Sequence, residues 1–99
     1  MGTLYISEYT DTPTNLGQVI LVGNEPALAE QAIAVTGASV AGTAFNAKTK
    51  WIRAHTDATC SIAFGAAPVA VTTAKRLAAN STEFFGVVAG QTIAVIANV

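Results

Sequence analysis

Apolar and polar positions alternate along this chain in short runs, each closed by a turn signal. Nowhere do they recur at the three-and-four spacing of a long amphipathic helix. The first run is Leu4-Tyr5-Ile6-Ser7-Glu8-Tyr9, with Leu4 and Ile6 as packing positions and Tyr5 and Tyr9 as further ones. A polar connector from Thr10 to Asn15 leads to Gly17, and the β-branched run Val19 to Val22 is closed by Gly23-Asn24. Pro26 to Glu30 fits either one helical turn with Pro26 at its first position or an extended segment. From Gln31 to Val35 the chain alternates, placing Ile33 and Val35 on one face, and Thr36-Gly37 ends the run.

The second half repeats this grammar. Ala44-Phe45-Asn46 reads as a short strand and Ala47 to Lys50 as a turn. Trp51 to Thr56 and Cys60 to Phe64 read as a hairpin. A two-residue loop at Asp57-Ala58 would set His55 opposite Cys60, Arg53 opposite Ile62 and Trp51 opposite Phe64. A three-residue loop ending at Thr59 instead pairs Thr56 with Cys60, Ala54 with Ile62 and Ile52 with Phe64. The second register is preferred because it gathers the aliphatic groups on one face, which a one-residue slip would undo. Trp51, Arg53 and His55 then share the opposite face. Gly65 to Pro68 is a loop, Val69 to Thr73 is extended or irregular, and Lys75 to Ser81 is too short and polar for a helix. Glu83 to Val88 and Thr92 to Ala97 flank Ala89-Gly90, where Gly90 fits the third position of a type II turn. Seven or eight short strands predict an all-β fold, an antiparallel β-sandwich of jelly-roll type.

Composition narrows the picture. The 99 residues suffice for one domain with one modest core, so residues 1–99 are read as a single sandwich whose residues 1–30 form an extended N-terminal arm plus the first strands. Hydrophobic residues make up 52% and charged residues only 11%, against a usual charged share of about 25%. Alanine and threonine supply roughly a third of the chain. So few charges cannot coat an isolated domain in the usual way. The expectation is that other subunits cover part of the surface. A formal net charge of -1 argues against a nucleic-acid partner, and the apolar, nearly neutral balance argues against disorder. The N-terminus has no basic stretch leading into an apolar run, so no signal peptide is expected, and position 6 is Ile where a myristoylation site needs a hydroxyl residue. No run approaches the roughly 18 apolar residues of a membrane span, so no membrane partner is expected.

Candidate chemistry is sparse. The two-residue register would put His55 beside Cys60 with Asp57 nearby, the ingredients of an activated thiolate, but no oxyanion-hole motif accompanies them. Cys60 as a small core residue and His55 on a sheet face account for both better. One cysteine and one histidine exclude an internal disulfide and a cysteine-based zinc site, and the six acids are scattered singly. Gly37 to Gly42 lacks the Lys-Ser/Thr ending of a phosphate cradle. No catalytic residue, metal ligand or cofactor is therefore expected. Lys48, Lys50 and Arg53 surround Trp51, a pattern that fits a protein-facing patch or a lysine-protected sheet edge better than a stacking platform for single strands.

The stretch Trp51-Ile52-Arg53-Ala54-His55-Thr56-Asp57-Ala58-Thr59-Cys60-Ser61-Ile62-Ala63-Phe64-Gly65 is followed by Pro68, Arg76-Leu77-Ala78-Ala79, Thr82-Glu83-Phe84-Phe85-Gly86-Val87 and Gly90. Together these resemble small β-sandwich virion structural proteins of tailed bacteriophages, over a little more than half of the chain. The resemblance implies a non-enzymatic capsid decoration or cement protein on the virion exterior, made in the bacterial cytoplasm. Its partners would be the major capsid protein and copies of itself, as a dimer or trimer. The alternative is a neck, tail or fibre module that recognises a host-surface glycan or another virion protein. Two contacts are expected: Gly2 to Tyr9 (Leu4, Tyr5, Ile6, Tyr9) adding a strand to a neighbouring sheet edge, and the Trp51, Arg53 and His55 face docking onto the shell or a sister subunit.

Overall fold

The computed structural model describes residues 2–10, 14–15, 18–19 and 25–98, the two short internal pairs through their backbone only. Among them there is no helix, and ten strands form: β1 (Thr3–Tyr9), β2 (Thr14–Asn15), β3 (Gln18–Val19), β4 (Ala29–Ala34), β5 (Val40–Ala41), β6 (Trp51–Thr56), β7 (Cys60–Gly65), β8 (Lys75–Leu77), β9 (Ser81–Gly86) and β10 (Thr92–Ala97). Eight of them make two four-stranded antiparallel sheets, in the orders β4-β1-β6-β9 and β5-β10-β7-β8, while β2 and β3 pair with each other. The predicted all-β antiparallel sandwich is therefore the fold. The jelly-roll designation is narrower than what the two sheets establish.

The core lies between the sheets. Leu4 and Ile6 of β1, Ile33 of β4 and Ile52 and Ala54 of β6 meet Cys60 and Ile62 of β7, Leu77 of β8 and Ile93 and Val95 of β10. Burying each large aliphatic side chain is worth about 1.5–3 kcal/mol. Alternation along β1 and β6 sends the intervening residues to the outer face, as a period of two requires.

The chain passes repeatedly from one sheet to the other, which corrects the expected hairpin. β6 belongs to the first sheet and β7 to the second, so Thr56-Cys60, Ala54-Ile62 and Ile52-Phe64 are not ladder pairs. Thr56 shapes the corner: its buried hydroxyl donates to Ala58 O at 2.6 Å and accepts from Ala58 N–H. β9 and β10 are likewise joined across the sandwich and not within a sheet. Gly90 nevertheless does what its position predicts, with φ +84 at the third residue of a turn closed by Gln91 N–H to Val88 O.

β1 is an inner strand, paired with β4 on one side and β6 on the other. Its first residue bonds to the β6–β7 corner, Thr3 N–H to Asp57 Oδ1 at 2.6 Å, and a Cβ on Gly2 would collide with Asp57 and Ala58. The described chain also ends there, with Asn98 N–H donating to Thr59 O. Pro26 to Glu30 forms no helical turn: after a cis Glu25-Pro26 bond it bends at Pro26 and Leu28 and enters β4 at Ala29. Ala44-Phe45-Asn46 is not a strand; Phe45 is buried and its backbone bonds to Gly90 and Gln91. Lys75 to Leu77 adds a short strand that its polar sequence concealed. Of the run from Val19 to Val22, Val19 belongs to β3, and Ile20, Leu21 and Val22 lie outside the described residues.

Small residues have an intramolecular use here. On the outer side of the second sheet, Ser61 and Ala94 are fully buried although they point away from the core. Residues 66–74 are tied over this side by Ala70 N–H to Ser39 Oγ and by Asn98 Nδ2, which donates to both Thr72 O and Ser61 Oγ. Only short side chains leave room for a strap at that distance.

Candidate interaction face

The first sheet's outer side carries the side chains that the sequence singled out. Cross-strand pairing sets Tyr5 opposite His55, Ser7 opposite Arg53 and Tyr9 opposite Trp51, and β9 extends the rows with Thr82 beside His55 and Phe84 beside Arg53. Because paired residues share a face, Tyr5, Trp51, Arg53, His55 and Phe84 form one surface. Its rings are in contact: Tyr9 stacks on Trp51 at 4.6 Å between centroids, Trp51 meets Phe84 at 5.8 Å, and Tyr5 lies 6.4 Å from His55. Phe84 is 60% exposed and Tyr5 47%, large values for aromatic side chains. His55 Nδ1 shares a hydrogen bond with Thr82 Oγ1 at 2.8 Å, which fixes the ring along the sheet.

Trp51, Arg53 and His55 thus lie on the outer face, as the alternation requires. Leu4 and Ile6 do not join them. They are core residues with no accessible surface to offer a neighbour, so strand addition by Gly2 to Tyr9 is replaced by pairing inside the chain's own sheet. Tyr9 points to the outer face but is buried there. Its hydroxyl donates to Glu25 Oε2 at 2.6 Å, and that bond, with burial behind it, raises the phenol above its ordinary pKa. The contacts expected from the sequence omit Phe84. The Glu83-Phe84-Phe85 run hides which of two adjacent rings faces out, and only the pairing with β6 decides it.

The Cys60–His55 dyad is not assembled. Cys60 points into the core, with Thr56 Oγ1 3.7 Å from its sulfur, while His55 projects from the opposite side of β6. Burial pushes the Cys60 thiol above its ordinary pKa, the reverse of nucleophile activation. Among the described residues, no group of three or more His, Cys, Asp or Glu side chains is placed to hold a metal ion. An open depression of about 350 Å³ runs along β1 and β4 between Tyr5, Ser7, Glu30 and Ala32.

One acid is deeply placed. Glu8 points inward from β1 and is 2% exposed. Its Oε1 accepts from Asn46 N–H and Thr49 Oγ1, each at 2.7 Å. These bonds hold the loop that leads into β6 at Trp51. No helix of the described residues is long and apolar enough to cross a membrane.

The chain matches no family model, no curated protein and no solved structure.

Proposed function

We propose that this protein is a non-enzymatic structural component of a tailed-bacteriophage virion, a head decoration or cement protein that binds the assembled capsid lattice. The observation that supports this reading is the outer face of the β4-β1-β6-β9 sheet. Its exposed Tyr5 and Phe84 flank Trp51 and Arg53 on a rigid platform, and aromatic and arginine side chains are favoured anchors of protein interfaces. Of the stretch from Trp51 to Gly90 that resembles virion proteins, β6 and β9 belong to this sheet. A cement protein that binds the closed shell and not its separated subunits adds its binding energy to shell stability, and many symmetric copies supply avidity without tight single contacts.

The test is binding of the purified chain to emptied heads and to unassembled major capsid protein. The proposal expects binding to heads alone and a higher temperature of shell disruption, both lost in Trp51→Ala with Phe84→Ala. Equal binding to free subunits, or heads whose disruption temperature does not move, contradicts it. The exposed rings also favour a second reading, a neck or tail-associated module that binds a host-surface glycan, because flat aromatic faces stack against the apolar faces of sugars. A glycan-binding module would retain sugar as a free domain, and a cement protein would not.

A further inference from the structure

We propose that the β9 edge pairs with β9 of a second copy, antiparallel and centred on Phe84, so that the first sheet continues through an isologous dimer. Val87 N–H donates to Lys50 O in the β6–β9 register, and hydrogen-bonded pairs alternate along antiparallel strands. Residues 81, 83, 85 and 87 therefore turn their backbone groups toward β6. Thr82, Phe84 and Gly86 turn theirs outward, where among the described residues β9 has no partner strand.

Glu83 is the only charged residue along this edge. The second sheet ends in strands of two and three residues, β5 and β8, whereas β9 runs for six residues without proline or lysine. Phe84 and Val88, 60% and 62% exposed, lie along it. A two-fold axis through Phe84 brings all three outward-facing residues into register, Phe84 with Phe84 and Thr82 with Gly86, and joins the aromatic rows of the two copies on one face.

Charge selects the occupant and the register. Centring the pair on Glu83 would set two carboxylates opposite each other. Centring it on Phe84 sets each Glu83 opposite the other copy's Phe85, on the inner side of the sheet. Phe85 is the ring that carries Lys75 Nζ at 5.6 Å from its centroid. Each Glu83 thus approaches a Lys75 of the other copy, twice by symmetry, and this self-complementarity is what a two-fold interface requires. A six-residue edge is smaller than a standard interface of about 800 Å² per partner, so the dimer is weak and concentration-dependent. The inference stands apart from the virion reading, since it concerns the free protein.

Sedimentation equilibrium of the purified chain from micromolar to millimolar concentration tests it. A reversible monomer–dimer equilibrium is expected. Thr82→Pro removes an outward N–H, leaves the backbone ladder to β6 and loses the hydroxyl contact to His55; it weakens dimerisation by at least about tenfold, with circular dichroism confirming the fold and Thr82→Val, which loses the hydroxyl alone, leaving the dimer intact. Glu83→Lys and Lys75→Glu each weaken it, and the double variant restores it. A chain that stays monomeric throughout, one that forms trimers, or a dimer indifferent to Thr82→Pro overturns the proposal. Failure of the charge swap to restore association overturns the Phe84-centred register.

Discussion

Replacing Glu8 with alanine tests how the loop before β6 is held. The carboxylate is buried and one of its oxygens takes both the Asn46 N–H and the Thr49 hydroxyl at 2.7 Å. A hydrogen bond to a charged group contributes about 1.5–3 kcal/mol, so two lost bonds amount to about 3–6 kcal/mol. Removing a carboxylate from the interior returns part of that as relieved desolvation, which leaves a net cost of about 3 kcal/mol. For a domain of this size that lowers Tm by about 12–24 °C. Glu8→Gln keeps an acceptor oxygen and loses only the charge assistance, a cost of about 1 kcal/mol. Thr49→Val removes one of the two donors, and a double-mutant cycle with Glu8→Ala gives a coupling of about 1.5 kcal/mol. Urea unfolding of these variants beside the parent chain, followed by tryptophan fluorescence from Trp51, measures all of these. A cost below about 1 kcal/mol for Glu8→Ala, or additive effects of Glu8→Ala and Thr49→Val, refutes the reasoning.

Further outcomes follow from the same geometry. Gly90→Ala destabilises by about 1 kcal/mol in thermal unfolding, because a side chain must then adopt φ +84 in the β9–β10 turn. Ala94→Val costs about 1–3 kcal/mol although Ala94 faces away from the core, since the 66–74 strap leaves no space above it; a neutral result in urea unfolding would mean that the strap yields. Cys60 reacts with a thiol reagent slowly in the native state and rapidly in denaturant, the burst appearing only on unfolding. The folded state raises both the Cys60 thiol and the Tyr9 phenol, so both hold their protons more tightly than the unfolded chain does. Their contribution is full at neutral pH and falls as pH climbs past the ordinary thiol and phenol values of about 8.5 and 10. Cys60→Ala and Tyr9→Phe flatten that alkaline decline in urea midpoints measured across pH.

The inside and outside of most strands are legible in the sequence, but the partner of each strand is not. Ile52, Ala54 and Thr56 alternate against Trp51, Arg53 and His55, and that period alone assigns the two faces of β6. The same period is satisfied when Ile62 and Phe64 pair beside β6 in one sheet or face it across the core. A hairpin and an arch between sheets therefore read alike, and here the chain makes the arch. Leu4 and Ile6 illustrate the same gap: their apolar character marks a surface to be covered, and the chain's own β4, β6 and second sheet cover it. Ser61 and Ala94 carry no signal of burial, because a strap tied through Asn98 and Ser39 lies outside any local pattern. Of the interaction face, Trp51, Arg53 and His55 are visible from alternation. Phe84 is not, since it emerges only once β9 is registered against β6.

The proposed place of this chain in a virion shell is open to direct measurement, as its copy number in purified particles. Quantitative mass spectrometry against the major shell protein, on complete particles and on tail-less heads, gives that number. A cement protein is expected in hundreds of copies, retained in tail-less heads. A small complement lost with the tail contradicts the cement reading, and absence from particles altogether contradicts the structural one.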